Sequence, residues 1–211
     1  KILMNQKKIF LFDLDGVLID SKKNMQLSWH EIIKKYKLKI PFKKYFSYIG
    51  VPFLKILEKL KINKNFHKTL EKEYKKNSIK NINSIKLHKD VKKTFNYLKI
   101  NKKIIGILTS KEKSRTLKIL KKNKIKVDVV LCPIKNLIGK PNPRQINDLS
   151  KKTKTPKNKI VYIGDMYVDK QTAKNAKIDY IHANYGYFKK IKSKYSINRI
   201  SDIITNNLGI N

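Results

Sequence analysis

The amino-acid sequence predicts an α/β fold built on a doubly wound parallel sheet. Short apolar runs at residues 8–12, 104–108 and 160–163 have the composition of strands that are buried on both faces. Each run is followed closely by polar residues, and amphipathic helical patterns lie between the runs. Because strand and helix alternate in this way, we expect the ligand site at the carboxyl ends of the strands.

Further elements continue this alternation towards the C-terminus. Residues 127–131 and 180–183 are predicted strands, and residues 197–200 are a weaker candidate. Helices are predicted where apolar residues recur every three or four positions, at residues 89–100, 114–123, 143–152 and 169–176. In the second of these helices, Leu117 and Leu120 are expected to share the buried face.

The segment that follows the first strand breaks the alternation. Its helical patterns lie at residues 22–36, 53–60 and 65–76. We therefore expect a small helical insert at residues 20–85, and a core domain formed by residues 1–19 and 86–211. Met25 and Trp29 have the spacing of residues that pack inside such an insert. The polar stretch at residues 75–83 is expected to form a loop or hinge, although a helix end would have a similar composition.

Charge is the most unusual property of the composition. The 211 residues carry a formal net charge of +36, which fits either a nucleic-acid or anionic-membrane partner, or a general enrichment in lysine. Only three of the 51 basic residues are arginines, and the lysines are spread along the whole chain. Nucleic-acid interfaces favour the bidentate guanidinium of arginine, so a nucleic-acid partner is not expected. A positive field would still attract anionic substrates.

The composition also bears on location. No apolar run reaches the roughly 18 residues of a membrane-spanning helix, so no membrane association is predicted. The first residues are too polar for a signal peptide. Cys132 is the only cysteine, which excludes an internal disulfide bond and fits a cytoplasmic location. A monomer and a homodimer are both compatible with the sequence.

Two carboxylates follow the first predicted strand. Asp13 and Asp15 are separated by one residue, and Gly16 permits the backbone of a tight turn after them. One carboxylate could attack phosphorus, while the other could protonate the leaving oxygen and later activate water. An acidic loop without chemistry is the alternative interpretation of this pattern.

A second acidic pair follows the strand at residues 160–163. Asp165 and Asp169 are four positions apart and could share one face of a helix, although aspartate also caps helix starts. If either side chain approaches Asp13, a cation must compensate the negative charge. Oxygen ligands beside a phosphate substrate favour Mg²⁺.

Two further segments could bind phosphate. Lys140 lies between a glycine and a Pro-rich turn, where its ammonium group could neutralise a nucleophile and a transferring phosphoryl group. Thr109 and Ser110 end the strand at residues 104–108 and could hold phosphate oxygens before a helix. Taken singly, a solvated surface lysine and a Ser/Thr helix cap are the favoured explanations of these segments.

The four segments together resemble the motifs of the haloacid dehalogenase (HAD) superfamily. The sequence contains Asp-x-Asp-Gly-Val from Asp13, a strand ending in Thr-Ser at Thr109, Gly-Lys-Pro-x-Pro around Lys140, and Ile-Gly-Asp-x-x-x-Asp with Asp165 and Asp169. All four occur in the order of that superfamily, and the resemblance extends over nearly the whole chain. It implies a Rossmann-like HAD core.

The resemblance also implies roles for individual residues. Asp13 would be the nucleophile and a Mg²⁺ ligand. Asp15 would be the general acid and base, with its backbone carbonyl also on Mg²⁺. Thr109 and Ser110 would bind the phosphoryl group, and Lys140 would orient Asp13, bind phosphate and offset negative charge.

At the fourth motif the resemblance implies a metal site. Asp165 would ligate Mg²⁺, and Asp169 would complete and support that site. An acid at Asp15 places the chain with phosphatases and mutases, because dehalogenases of the superfamily lack one there. The implied activity is a Mg²⁺-dependent phosphatase that forms an aspartyl-phosphate on Asp13.

The helical insert is similar to the small cap of the phosphoglycolate phosphatase and β-phosphoglucomutase-like group. Residues 48–52 resemble the Gly-x-Pro segment of that cap, and residues 182–187 resemble the late strand and Gly-Tyr turn of phosphoglycolate phosphatases. Asp90 is a departure, because a glycine is expected before the helix at residues 89–100.

Three functions remain open at this point. The first is hydrolysis of a small phosphorylated metabolite, with phosphoglycolate or a sugar phosphate as the expected substrate. The second is a phosphosugar mutase, which would use the same four motifs. The third is a nucleic-acid-binding protein on a HAD scaffold, which would bind in a salt-sensitive manner but would not need the complete motif set.

Overall fold

The computed structural model describes residues 4–135, 138–188, 191–205 and 208–210. The strands are β1 Ile9–Phe12, β2 Ile19–Asp20, β3 Lys86–Leu87, β4 Ile104–Leu108, β5 Val129–Leu131, β6 Ile160–Gly164, β7 Asp179–Ala183, β8 Tyr195–Ile197 and β9 Gly209–Ile210. The α-helices are α1 Lys22–Lys35, α2 Phe42–Phe46, α3 Phe53–Lys59, α4 His67–Lys80, α5 Val91–Ile100, α6 Lys113–Lys122, α7 Arg144–Lys152, α8 Tyr167–Ala176 and α9 Asp202–Thr205.

The main sheet has the strand order β5-β4-β1-β6-β7-β8-β9. All neighbouring pairs are parallel except β8 and β9, which are antiparallel. Strand β1 is central, with Phe12 paired to Ile107 on one side and to Ile163 on the other. The order reverses at β1, so the sheet is doubly wound as the sequence predicts.

Alternating side chains of β1 face two different apolar clusters. Phe10 and Phe12 lie in a cluster with side chains of α5, α6 and α9. Ile9 and Leu11 lie in a second cluster with side chains of α7 and α8. A strand directs successive side chains to opposite faces, so helices cover the sheet on both sides. This burial explains why the strand reads as a continuous apolar run rather than as an alternating pattern.

Helices α1–α4 pack around a third apolar cluster. Trp29 is fully buried there, stacks on Tyr45 with 4.5 Å between the ring centroids, and donates its indole hydrogen to the carbonyl of Ile40. Met25 is also buried in this cluster. The expected packing roles of Met25 and Trp29 are therefore confirmed.

A two-stranded antiparallel ribbon lies where the chain enters and leaves these helices. Ile19 pairs with Leu87, and Asp20 pairs with Lys86. The sequence offers no alternation long enough to predict strands of two residues. The ribbon lies at the ends of the segment in which the sequence predicts a helical insert.

Three local predictions need correction, and one helix was not predicted. Leu117 is 46% exposed, because the buried face of α6 is formed by Arg115, Thr116, Ile119 and Leu120 instead. Helix α4 continues to Lys80, so residues 75–80 are not a loop. The strand expected at 197–200 ends at Ile197 and begins at Tyr195. Helix α2, at Phe42–Phe46, is too short to carry a recognisable helical period.

Asp90 has a φ angle of 65° immediately before α5. This left-handed conformation is readily adopted by glycine and carries a steric cost for a residue with a β-carbon. This backbone conformation explains why a glycine is expected at position 90 from the family resemblance.

Candidate active site

The polar residues at the strand ends meet at one edge of the sheet. Asp13 follows β1, Thr109 follows β4 and Asp165 follows β6, and these three strands are parallel neighbours. Asp13, Asp15, Thr109, Ser110 and Lys140 line one common cavity. Five of the residues predicted to form the site are thus gathered around one space.

Lys140 connects two of the acidic residues. Its ammonium nitrogen lies 2.7 Å from Oδ1 of Asp13 and 2.7 Å from Oδ1 of Asp169. Oδ1 of Asp13 also accepts a hydrogen bond from the backbone N–H of Leu14 at 2.8 Å. No described residue donates to the other oxygen, Oδ2. Asp13 is therefore held through one oxygen only.

The carboxylate of Asp169 accepts four hydrogen bonds. Oδ1 accepts from Lys140 and from the hydroxyl of Tyr162, at 2.7 and 2.8 Å. Oδ2 accepts from the backbone N–H groups of Asp165 and Met166, at 3.2 and 3.0 Å. Asp169 thus fixes both the lysine and the loop that carries Asp165. Tyr162 was not singled out from the sequence, because its hydroxyl is hidden within an apolar strand run.

Asp165 is fully buried and only half satisfied. Oδ2 accepts from the backbone N–H of Tyr187 at 2.6 Å, whereas Oδ1 has no hydrogen-bond partner among the described residues. Gly16, at φ 89°, and Gly186 both pack directly on this carboxylate, and a β-carbon at either position would overlap it. The two glycines therefore let the backbone approach Asp165 closely enough to hold it.

The acidic residues form a cluster of oxygen ligands. One carboxylate oxygen from each of Asp13, Asp165 and Asp169 lies within 4.8 Å of the others. Burial raises the pKa of Asp13 to about 7 although Lys140 opposes the rise, and the carboxylates of Asp169 and Asp15 add to it. Burial also raises the pKa of Asp165 well above its usual range, with Asp169 and Asp13 contributing.

These properties fit a divalent cation. Lys140 contacts only two of the three buried carboxylates, and Oδ1 of Asp165 is a buried oxygen without a donor among the described residues. Hard cations such as Mg²⁺ prefer ligand sets made of oxygen. Within the described parts of the chain, no histidine or cysteine belongs to a cluster of this kind.

Asp15 has a different environment from Asp13. It lies 3.1 Å from the ammonium group of Lys111 and accepts a 2.5 Å hydrogen bond from the hydroxyl of Ser21. Burial acts to raise the pKa of Asp15, but Lys111 and the Ser21 hydrogen bond outweigh burial, so the pKa lies below its usual value. Lys111 directly follows Thr109 and Ser110, and that adjacency is the signal in the sequence that could have identified it.

Thr109 and Ser110 have separate contacts. The hydroxyl of buried Thr109 accepts from the backbone N–H of Lys111 at 3.2 Å. The hydroxyl of Ser110 donates to the carbonyl of Gly50, in the loop before α3. Ser110 thus links the sheet edge to the helical segment, a contact that the sequence did not predict.

The wall of the cavity opposite the sheet comes from helices α1–α4. Apolar and aromatic side chains form this wall: Met25, Tyr45, Ile49, Phe53, Ile56 and Tyr74. Met25 therefore lines the cavity as well as packing the helical cluster. Arg115, from α6, completes the lining. The cavity has a volume of about 50 Å³.

An acidic site at the carboxyl edge of a doubly wound sheet, enclosed by a helical wall, defines the chain as an α/β enzyme. The chain belongs to the haloacid dehalogenase-like hydrolases, because the model of that family matches residues 10–183. This membership confirms the resemblance carried by the four motifs. Comparison with curated protein sequences gave no match.

Solved structures with the same fold cover nearly the whole chain. A predicted phosphoglycolate phosphatase from Haemophilus somnus is 22% identical, with 96% of this chain and 98% of that chain covered at a TM-score of 0.80. A predicted phosphatase from Clostridium acetobutylicum is 19% identical, with 95% and 98% covered at a TM-score of 0.81. A haloacid dehalogenase-like hydrolase from Streptococcus pneumoniae is 16% identical, with 96% and 99% covered at a TM-score of 0.83. The TM-scores establish a shared fold, and at identities this low the similarity shows the fold alone.

Within the described residues, no helix is both long enough and apolar enough to cross a bilayer.

Proposed function

We propose that the protein is a Mg²⁺-dependent phosphatase that hydrolyses a small phosphorylated metabolite, either phosphoglycolate or a sugar phosphate. One observation carries this proposal. Asp13 is anchored through Oδ1 by Lys140 and Leu14, while Oδ2 has no donor among the described residues and the side chain lines the cavity. A carboxylate held in this way can present one oxygen to phosphorus.

The first step forms an aspartyl-phosphate. Oδ2 of Asp13 attacks phosphorus, the new O–P bond forms, and the bond from phosphorus to the ester oxygen breaks. Lys140 offsets negative charge on Asp13 and on the phosphoryl oxygens. Thr109, through its hydroxyl, and Ser110, through its backbone N–H, would hold those oxygens by hydrogen bonds.

Asp15 moves the protons. In its acid form it donates a proton to the leaving ester oxygen, and the resulting carboxylate then takes a proton from the water that hydrolyses the aspartyl-phosphate. Lys111 and Ser21 favour the ionised form in the free protein. A bound phosphate would compete for Lys111, which would raise the pKa of Asp15 and favour the protonated acid.

Mg²⁺ would be held by Asp13, by the backbone carbonyl of Asp15 and by Asp165. When bound, it would neutralise the clustered carboxylates and polarise the phosphoryl group. Asp169, whose two oxygens accept four hydrogen bonds, would complete the site mainly by fixing Lys140 and the Asp165 loop. The unpaired Oδ1 of Asp165 supports this assignment.

The helical segment would act as a cap domain. We assign residues 20–85 to this cap and residues 1–19 and 86–211 to the core. The Ser110–Gly50 hydrogen bond and the aromatic wall support a closed cap that excludes water from the site.

Phosphate release tests the proposal. The substrates are 2-phosphoglycolate, several sugar phosphates and p-nitrophenyl phosphate, each assayed with Mg²⁺ or with EDTA, for the wild type, Asp13→Asn and the control Asp148→Asn. Asp148 is 63% exposed at its side chain and pairs with Arg144 on the surface, so this control removes the same charge far from the cavity. We expect Mg²⁺-dependent release that Asp13→Asn abolishes and Asp148→Asn retains.

Three results would contradict the proposal. Release that persists in Asp13→Asn would exclude Asp13 as the nucleophile. Turnover only in the presence of a sugar bisphosphate would indicate a mutase. Salt-sensitive binding of DNA or RNA, without release from any ester, would indicate the nucleic-acid-binding alternative.

A further inference from the structure

Arg115 is a buried cation with unused hydrogen-bond donors. Its side chain is 6% exposed, and one terminal nitrogen, Nη2, lies 3.0 Å from Glu112. The other two nitrogens, Nε and Nη1, are buried without a hydrogen-bond partner among the described residues. Buried donors in native proteins are nearly always paired, and an unpaired one costs free energy. This pattern points to a missing acceptor.

The position of Arg115 suggests where that acceptor lies. Arg115 lines the same cavity as Asp13, and its guanidinium group lies 5.0 Å from the ring centroid of Tyr74 in α4. It therefore belongs to the part of the cavity that meets the helical wall. A phosphate ester attacked by Asp13 would extend its remaining atoms towards this wall.

The other two cations of the cavity already have partners at the reacting end. Lys140 contacts Asp13 and Asp169, and Lys111 contacts Asp15. Arg115 shares only one of its three nitrogens with Glu112, so its planar fork retains donors for a second anion.

We propose that Arg115 recognises a second anionic group on the substrate, so that the enzyme selects small phosphate esters that carry a carboxylate or another phosphate beside the ester. This inference rests on the proposed phosphatase function and specifies its substrate class. The nonreacting anion would bind Nε and Nη1, with the Tyr74 ring packed against the guanidinium plane. Because Asp13 and Arg115 line one cavity, a single small ester must supply both anionic groups.

Three esters of similar size distinguish the effect of a second negative charge from the effect of substrate shape. They are 2-phosphoglycolate, which carries a carboxylate, ethylene glycol bisphosphate, which carries a second phosphate, and 2-hydroxyethyl phosphate, which is neutral at that end. We measure kcat/KM with Mg²⁺ for the wild type, Arg115→Gln, Arg115→Lys and the control Arg144→Gln. Arg144 is 61% exposed at its side chain, so the control removes one positive charge from the surface.

The readout is the ratio of kcat/KM between an anionic and the neutral ester, which partial loss of folded protein does not alter. We expect the wild type and Arg144→Gln to prefer at least one anionic ester by roughly 10- to 100-fold, the range for hydrogen bonds to charged groups. Arg115→Gln should abolish the preference, and Arg115→Lys should keep part of it. The preferred ester distinguishes a carboxylate from a second phosphate.

A wild type that hydrolyses all three esters equally would overturn the inference while leaving the phosphatase function intact. An unchanged ratio in Arg115→Gln would also overturn it and would leave Arg115 a structural contact between α6 and α4. Failure to hydrolyse any ester would count against the proposed function instead. In that case, thermal stabilisation of Asp13→Asn by 2-phosphoglycolate but not by 2-hydroxyethyl phosphate would still support anion recognition, and equal effects would contradict it.

Discussion

The hydroxyl of Tyr162 and the ammonium group of Lys140 donate to the same oxygen of Asp169, at 2.8 and 2.7 Å. Asp169 is thus fixed by Tyr162 and in turn orients Lys140. The second ion pair of Lys140 is with Asp13. The orientation of Asp13 therefore depends on residues that do not line the cavity.

Replacing Asp169 should disable the site. Asp169→Asn removes one of the two acids that flank Lys140 and leaves the buried lysine less compensated. We expect kcat to fall by roughly 100-fold or more and the free energy of unfolding to fall by about 3–5 kcal/mol, as for other broken buried pairs. Steady-state assays and urea unfolding measure these effects. An effect as small as that of the exposed control Asp148→Asn would contradict this role of Asp169.

Removing only the Tyr162 hydroxyl should have a smaller effect. Tyr162→Phe keeps the buried ring and loses one donor to Asp169, so we expect a loss of about 1 kcal/mol in stability and a decrease in kcat with little change in KM. Tyr97→Phe, at a partly exposed position on α5, is the matched control. An increase in KM alone would show that Tyr162 acts on substrate binding rather than on the orientation of Lys140.

The metal-free protein should lose stability as the pH rises. Asp13 has a pKa of about 7 in the fold against 3.8 as its ordinary value, so between these values the folded state binds a proton that the unfolded state has released. Its stabilising contribution is complete below about pH 4 and is lost as the pH rises through about 7. Urea unfolding in EDTA across this range should show a weaker pH dependence for Asp13→Asn than for the wild type.

Mg²⁺ should reverse this trend. Because the metal binds ionised carboxylates, the increase in Tm on adding Mg²⁺ should be larger at pH 8 than at pH 5. Asp165→Asn should reduce the increase at pH 8. Equal stabilisation of the wild type and Asp165→Asn would show that the ion binds elsewhere.

A β-carbon at position 186 should disturb the proposed metal site without removing a ligand. In Gly186→Ala the new methyl group overlaps the carboxylate of Asp165. We expect a higher Mg²⁺ concentration for half-maximal activity, and a loss of stability of about 1–3 kcal/mol, as for other overpacked sites. A Mg²⁺ titration of activity measures the first effect. An unchanged titration would show that the Asp165 loop can shift without affecting the metal.

Glycine at position 90 should stabilise the protein. Asp90→Gly relieves the left-handed backbone at φ 65° and sacrifices one 3.2 Å hydrogen bond from Ser201. We expect a gain of up to about 1 kcal/mol in the free energy of unfolding, with no change in kcat/KM. Thermal and urea unfolding measure the gain, and a loss of stability would show that the Ser201 contact outweighs the strain.

The sequence predicted the sheet well because its inner strands are covered on both faces. Runs such as Ile104–Leu108 must be apolar throughout, and their ends are visible in the sequence as the first polar residues. Short elements were missed for the opposite reason. The ribbon of Ile19–Asp20 and Lys86–Leu87 has too few residues to show any period.

The site was predictable where motifs lie at strand ends, as at Asp13 and Asp165. Contacts between distant segments were not predictable, because no local pattern indicates which residues they join. Ser110 and Gly50 are one example, and Arg115 and Tyr74 are another. The buried face of α6 was also predicted wrongly, because it includes the charged residue Arg115. The apolar pattern placed Leu117 on that face instead.

The protein carries its own optical reporter of cavity occupancy. Trp29 is the only tryptophan in the chain. It is fully buried and stacked on Tyr45, a residue of the cavity wall. A ligand that displaces the Tyr45 ring changes the surroundings of a single indole, so emission intensity and wavelength would follow binding without an attached dye. Ligands that are not turned over could be ranked by affinity in this way.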